Sequence, residues 1–168
     1  LVSTEDRAID VSSRLGDCLR QRGWSCSTAE SCTGGLIGNW ITALAGSSDY
    51  FKGGIIAYSN AAKLNLLGVP QETLDSVGAV SAECAEAMAA GTRISFATDV
   101  GISSTGIAGP GGATARKPVG LIYVAVSTPA GSQVRELRLA GDRRANIHDS
   151  ALAALELALR MLQPDPKQ

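Results

Sequence analysis

A serine, a tyrosine and a lysine are the side chains here best suited to nucleophilic chemistry at an acyl carbon. Ser31 stands in Glu30-Ser31-Cys32-Thr33-Gly34-Gly35, between a stretch that reads as a strand and one that reads as a helix. A hydroxyl at such a turn faces the positive end of the following helix. The backbone N–H groups of Thr33, Gly34 and Gly35 then lie close enough to hold an oxyanion or bind an anion. Helix capping by Ser31 and Thr33 accounts for the same residues without chemistry. The chain has a single histidine, His148, inside a C-terminal helical pattern, so a Ser-His-Asp arrangement would rest on that residue alone. A lysine with a pKa lowered by burial is another way to activate a serine. Lys63 would supply the amine, taking the proton directly or through the Tyr58 hydroxyl. A solvated lysine on a short helix is the plainer account. Ser31 and Lys63 are far apart in the chain, so only the fold can join them.

A third segment, Thr105-Gly106-Ile107-Ala108-Gly109-Pro110-Gly111-Gly112, is a glycine-rich loop. Such loops let N–H groups approach a phosphate without side-chain interference, and a surface loop with no ligand has the same composition. Several familiar motifs are missing. There is no G-x-S-x-G elbow, no Walker A lysine and no G-x-G-x-x-G. The Tyr-Lys pair of short-chain dehydrogenases is four apart on a helix; here the two stand five apart and the tyrosine precedes the helix. The four cysteines, Cys18, Cys26, Cys32 and Cys84, form no C-x-x-C pair, so neither a zinc site nor a disulfide framework is expected. No metal or other cofactor is expected.

These segments need elements to carry them. The chain has 168 residues, 45% of them hydrophobic and 18% charged, which fits one globular domain over 1–168. Its core is expected over about 5–162, with a polar tail at 163–168. The net charge of −1 and 4% aromatic residues argue against a nucleic-acid partner. No apolar run reaches the length of a membrane helix and no signal peptide is visible, so the expected location is cytoplasmic. Low charge and abundant alanine are compatible with a homo-oligomer, a dimer foremost.

Helical and strand patterns alternate, which predicts an α/β fold. Ser3 or Thr4 caps a first helix with Ala8, Val11, Leu15, Cys18 and Leu19 on one face, stopped at Gly23. A strand follows over 24–29 and a helix over 36–44. A second strand spans 53–58, and Asn60 caps a short helix ended by Gly68. Ser81 caps a longer helix, and 100–104 reads as a third strand. Residues 119–128 form a near-continuous apolar strand, expected to be central, and 133–139 pairs back on it as a charged edge. Asp142 caps the last helix. The three chemical segments then fall at the C-terminal ends of strands, where open α/β sheets bind ligands.

With those residues in view, the sequence resembles the CinA C-terminal family of nicotinamide-nucleotide amidases. The stretches that carry the likeness are Thr28 to Gly35, Ala57-Tyr58-Ser59-Asn60 with Lys63, Gly78-Ala79-Val80-Ser81, Thr105 to Gly112, Lys117-Pro118-Val119-Gly120 and Gly141-Asp142-Arg143. The resemblance implies a three-layer α/β/α sandwich with a mixed, mostly parallel sheet. It implies a bacterial enzyme of pyridine nucleotide salvage in NAD metabolism, a C–N hydrolase acting on a linear amide. The reaction would turn nicotinamide mononucleotide into nicotinic acid mononucleotide and ammonia. Ser31 would be the nucleophile, Lys63 the base and Tyr58 the third member. Thr33, Gly34 or Thr105 would meet the oxyanion. Gly106, Gly109, Gly111, Gly112 and Arg143 would hold the nucleotide. The readings that compete with this one are a non-catalytic nucleotide-binding or competence-related module and an amidase for another small amide.

Two departures qualify the likeness. Many relatives carry an N-terminal domain resembling molybdopterin-binding proteins, and this sequence opens at the C-terminal unit, so activity attached to that domain is not expected of it. After Gly141-Asp142-Arg143 the family usually continues with an apolar residue and a second arginine. Here the chain reads Arg144-Ala145-Asn146-Ile147-His148, which leaves the role of that segment open.

Overall fold

The computed structural model describes residues 1–163. Helix α1 runs over Thr4–Arg22. Ser3 accepts from the Asp6 N–H while the Asp6 carboxylate accepts from Ser3, a reciprocal cap, and Gly23 closes the far end in the left-handed region. That closure also explains why the first strand begins later than its apolar pattern. The Trp24 N–H donates to the Leu19 carbonyl and the Ser25 N–H to the Asp99 carboxylate, so both are spent before the ladder opens.

Strand β1 is Cys26–Glu30, and α2 is Leu36–Thr42, shorter than the apolar pattern over 36–44. Strand β2 is Phe51–Ile56, earlier than the predicted 53–58. Its ladder ends where the Ala57 and Tyr58 carbonyls turn to a lysine instead of a neighbouring strand. Helices α3 (Asn60–Leu67) and α4 (Gln71–Ser76) follow, then α5 (Ala82–Phe96). Ser59, one residue before the predicted cap, accepts from the Ala62 N–H to start α3. Strands β3 (Val100–Gly106), β4 (Leu121–Thr128) and β5 (Gly131–Arg138) complete the sheet, and α6 (Arg143–Leu162) begins at Asp142, which accepts from the Ala145 N–H. The rest of the predicted tail, 164–168, lies outside the described residues.

The strand order is β2-β1-β3-β4-β5. Strands β2, β1 and β3 pair in parallel, and β4 pairs antiparallel with both β3 and β5. Four strands therefore point one way and only β4 opposes them. The expected mixed, mostly parallel sheet is present, with one correction: β3, not the apolar β4, is the middle strand. Strand β4 is nonetheless buried on both faces, with neighbours on either side, and that is what its unbroken apolar run records.

One side of the sheet is covered by α2 and α6, with α1 packed on them. Leu15, Leu19, Ile37, Trp40, Leu155 and Leu162 join Ile102, Ile122 and Val124 in one core. Each such side chain contributes about 1.5–3 kcal/mol on burial. The other side is covered by α5, with α3 and α4 beside it. Here small residues bring helix and sheet close: Ala85 and Ala89 lie on Ala125, and a Cβ on Gly101 would stand 2.0 Å from the Ala89 carbonyl oxygen. No helix among the described residues is long and apolar enough to cross a membrane.

Candidate active site

Strands β1, β2 and β3 end on the same edge of the sheet, at Glu30, Ile56 and Gly106. A cavity of about 270 Å³ opens there. Its wall includes Ser31, Tyr58, Lys63 and Thr105, the loop residues Gly106, Gly109, Gly111 and Gly112, and Arg143. The three segments singled out in the sequence thus meet at one edge.

The Lys63 ammonium nitrogen lies 3.0 Å from the Ser31 hydroxyl oxygen, close enough to hydrogen-bond directly. Its other contacts are the carbonyl oxygens of Ala57 at 3.0 Å and Tyr58 at 3.5 Å. Only 2% of Lys63 is exposed. It sits on the covered side of α3 with Leu67. Burial holds the amine below the ordinary lysine value, with Cys84 and Cys32 pulling weakly the other way. Desolvation acts on the neighbouring thiol in the same sense, toward the neutral form. Cys32 is pushed up to about 12 by burial, against a smaller opposing pull from the Ser104 hydroxyl. One environment thus favours the neutral form of both the amine and the thiol beside the serine.

Tyr58 stands elsewhere than between serine and lysine. The residue is 62% exposed at the cavity mouth, and its hydroxyl accepts from the Arg143 guanidinium at 3.1 Å. What it offers Lys63 is its backbone carbonyl. A relay through the phenol has no gap to fill, because amine and hydroxyl already touch.

The turn after β1 is held by Glu30, whose part the sequence reading missed. Its carboxylate is 2% exposed and accepts from the N–H groups of Gly35 (3.2 Å), Ile37 (2.9 Å) and Gly38 (3.0 Å). The Thr33 hydroxyl donates to it at 2.6 Å and pairs with the Ser104 hydroxyl at 2.6 Å. The Gly34 N–H donates to the Ser31 carbonyl, and the Leu36 N–H to that of Thr33. The Thr33 hydroxyl and carbonyl and the Gly34 N–H are therefore engaged in holding the turn, and neither residue is on the cavity wall. Thr105 is on the wall, but its hydroxyl donates to the Ala79 carbonyl at 2.8 Å. Cys32, on the wall and next to Ser31, has a backbone N–H with no oxygen acceptor among the described residues. Its position directly after the serine was the available signal.

The glycine loop is fixed from the opposite direction. Arg143, at the start of α6, donates to the Gly109 carbonyl at 2.7 Å while its other arm reaches Tyr58. Asn146, fully buried, donates to the carbonyls of Ala108 and Gly141, each at 3.0 Å, and accepts from the Gly141 N–H at 3.1 Å. The segment after Arg143 thereby gains a role: its amide clamps the loop. Gly109 has φ of 90°, and a Cβ there would meet Val119 at 2.5 Å, so a side chain is excluded on both counts. The N–H groups of 108, 109, 111 and 112 donate to none of the described residues. His148 packs edge-on against Trp40, with ring centres 5.4 Å apart, and is not part of this cavity wall. Among the described residues, no group of three or more His, Cys, Asp or Glu side chains is placed to hold a metal ion.

Comparison with known proteins gives a consistent result. A family model described as the CinA C-terminal domain matches residues 8–162. The chain is 49% identical over 165 residues to a CinA-like protein of Thermosynechococcus vestitus, covering 96% of this chain and 39% of that protein. It is 50% identical over 146 residues to a CinA-like protein of Kosmotoga olearia, covering 87% and 35%. The chain therefore spans less than two fifths of these curated relatives. Among solved structures, the competence/damage inducible protein CihA of Agrobacterium tumefaciens superposes with a TM-score of 0.90 at 38% identity, covering 94% of this chain and 96% of that one. A competence-damaged protein (CinA) superfamily protein of Enterobacter cloacae gives 0.90 at 28% identity, covering 93% and 92%.

Proposed function

From the premise that this chain belongs to the CinA C-terminal domain family, we propose that its cavity hydrolyses the carboxamide of nicotinamide mononucleotide by Ser-Lys catalysis. The observation that carries the reading is the buried Lys63 amine at 3.0 Å from the Ser31 hydroxyl. In its neutral form the amine keeps two N–H groups for the Ala57 and Tyr58 carbonyls. Its lone pair then faces Ser31 and accepts the hydroxyl proton.

Ser31 Oγ attacks the amide carbon as its proton moves to Lys63. The oxyanion is met by the free N–H of Cys32, the residue after the nucleophile. The tetrahedral adduct collapses, the C–N bond breaks, and Lys63 returns its proton to the leaving nitrogen, releasing ammonia. Water then attacks the ester, giving its proton to Lys63. The C–O bond to serine breaks, Ser31 is reprotonated, and the carboxylic acid leaves. No step calls for a metal or an organic cofactor. The phosphate is received by the open N–H groups of the glycine loop with Arg143 beside them. Binding of that remote group orients the amide for attack.

The test is ammonia release by the pure protein, with chelator present, from nicotinamide mononucleotide and separately from nicotinamide. The expected outcome is rapid release from the nucleotide and little from the free base. Equal release from both would point to an amidase for small amides generally. Binding of the nucleotide without release, unaffected by Lys63→Met, would leave a nucleotide-binding module.

A further inference from the structure

Glu30 is charged and buried, directly precedes the proposed nucleophile, and does not line the cavity. A carboxylate removed from water is costly unless its oxygens are met by donors. Here one oxygen takes the Thr33 hydroxyl and the N–H groups of Gly35 and Ile37, and the other takes the N–H of Gly38. Those three N–H groups belong to the start of α2, where a helix leaves its donors without intrahelical partners. The cap residue at that start is Gly35, which has no side chain to offer. Glu30 therefore does from five residues upstream what a capping side chain does elsewhere.

The consequence reaches Ser31 through two tethers. The Thr33 hydroxyl, donating to Glu30, accepts from the Ser104 hydroxyl, and the Ser104 carbonyl accepts the Ser31 N–H at 3.0 Å. Glu30 thus ties the turn to α2 on one side and to β3 on the other, with Ser31 between. The geometry assigns Glu30 as the positioning residue of the site: it fixes the Ser31 hydroxyl at hydrogen-bond distance from Lys63. This inference rests on the reading of Ser31 as nucleophile.

Glu30→Gln tests it with little change in size. The amide has one acceptor oxygen, and its NH₂ must face an N–H that the carboxylate used to receive. Two readouts separate positioning from simple loss of stability. One is the split between kcat and KM for ammonia release. The other is the rate at which an alkyl fluorophosphonate labels Ser31, per folded molecule, which needs no substrate. Expected in Glu30→Gln are a fall in kcat of about tenfold or more with KM within about threefold, and labelling slowed about as much but reaching full stoichiometry. A core variant, Leu155→Ala, loses stability without touching the turn and should label at the wild-type rate per folded molecule. A folded Glu30→Gln protein with wild-type labelling and kcat would overturn the assignment. If Glu30→Gln does not fold, Thr33→Val decides, since it removes only the hydroxyl joining Glu30 to Ser104. Labelling slowed about threefold or more supports the tether, and an unchanged rate overturns it. A wild-type protein that labels at Ser31 yet releases no ammonia would remove the amidase reading while the labelling series still judges Glu30. A wild-type protein that does not label removes both.

Discussion

The turn at 31–35 and the loop at 106–112 line up at the same edge of the sheet, and they are immobilised in opposite ways. The turn is gripped by its donors: a carboxylate collects the N–H groups that follow it. The loop is gripped by its acceptors: an arginine and an asparagine donate to the carbonyls of Gly109 and Ala108. The difference decides what each can do next. A segment held by its N–H groups has few left for an anion, whereas one held by its carbonyls keeps them. On the proposed reading, two glycine-bearing stretches that look alike in composition are thereby fitted to different tasks, bond breaking at the first and anion binding at the second.

The sharpest way to break that division is at the amine. Lys63→Met should lower kcat by about a thousandfold or more, with nucleotide binding by calorimetry nearly unchanged, because the base is lost and the loop is not. In the wild type, kcat should rise with pH along a limb whose midpoint lies below the ordinary lysine value, as burial favours the neutral amine. An activity that falls over that range would remove Lys63 as base. Next in size is Arg143→Ala. It should raise KM for the nucleotide by about tenfold and change kcat by less than about threefold, measured by steady-state kinetics. A collapse in kcat instead would place Arg143 in the chemistry and dissolve the contrast.

Smaller still is Asn146→Ala, which leaves the buried Ala108 carbonyl, and the N–H and carbonyl of Gly141, without their partner. It should cost about 1–3 kcal/mol in urea unfolding and weaken nucleotide binding while sparing fluorophosphonate labelling of Ser31. The smallest expected effect on turnover is that of Cys32→Ala, within about threefold of the wild type, since the protonated thiol contributes no nucleophile. Its effect lies in stability at high pH. The thiols of Cys26 and Cys32 are raised from 9.0 to about 12 by burial. The stability they contribute is complete below 9.0 and is lost as pH rises toward 12, because the unfolded chain ionises there and the folded one does not. Replacing both with alanine should flatten that alkaline decline in unfolding midpoints measured across the range.

Much of this was legible from local signals. The caps at Ser3, Ser81 and Asp142 and the stops at Gly23 and Gly68 are decided within a few residues, and all appear where the patterns place them. The serine and lysine were identifiable as candidates because a single histidine leaves little else to activate a hydroxyl. Their separation was not readable, since it depends on β1 and β2 lying side by side. The part of Glu30 was hidden for a related reason. An acidic residue at a strand end has no periodicity, and its value appears only once the chain doubles back over it. Asn146 shows the same limit, because its partner at Ala108 comes from a distant loop. Direct transfer from Ser31 to Lys63 and a relay through Tyr58 look alike in sequence; the end of β2 decides between them by turning the ring outward to Arg143.

The reacting pair and the two carbonyls aimed at the amine all come from one uninterrupted stretch, β1 through α3. The glycine loop and Arg143, proposed to receive the phosphate, come from later, between β3 and the first turn of α6. On the proposed reading, the cleaving pair and the phosphate-binding loop are written in separate passages of the polypeptide. Libraries confined to the second passage should alter which amide is accepted while the cutting machinery is inherited intact.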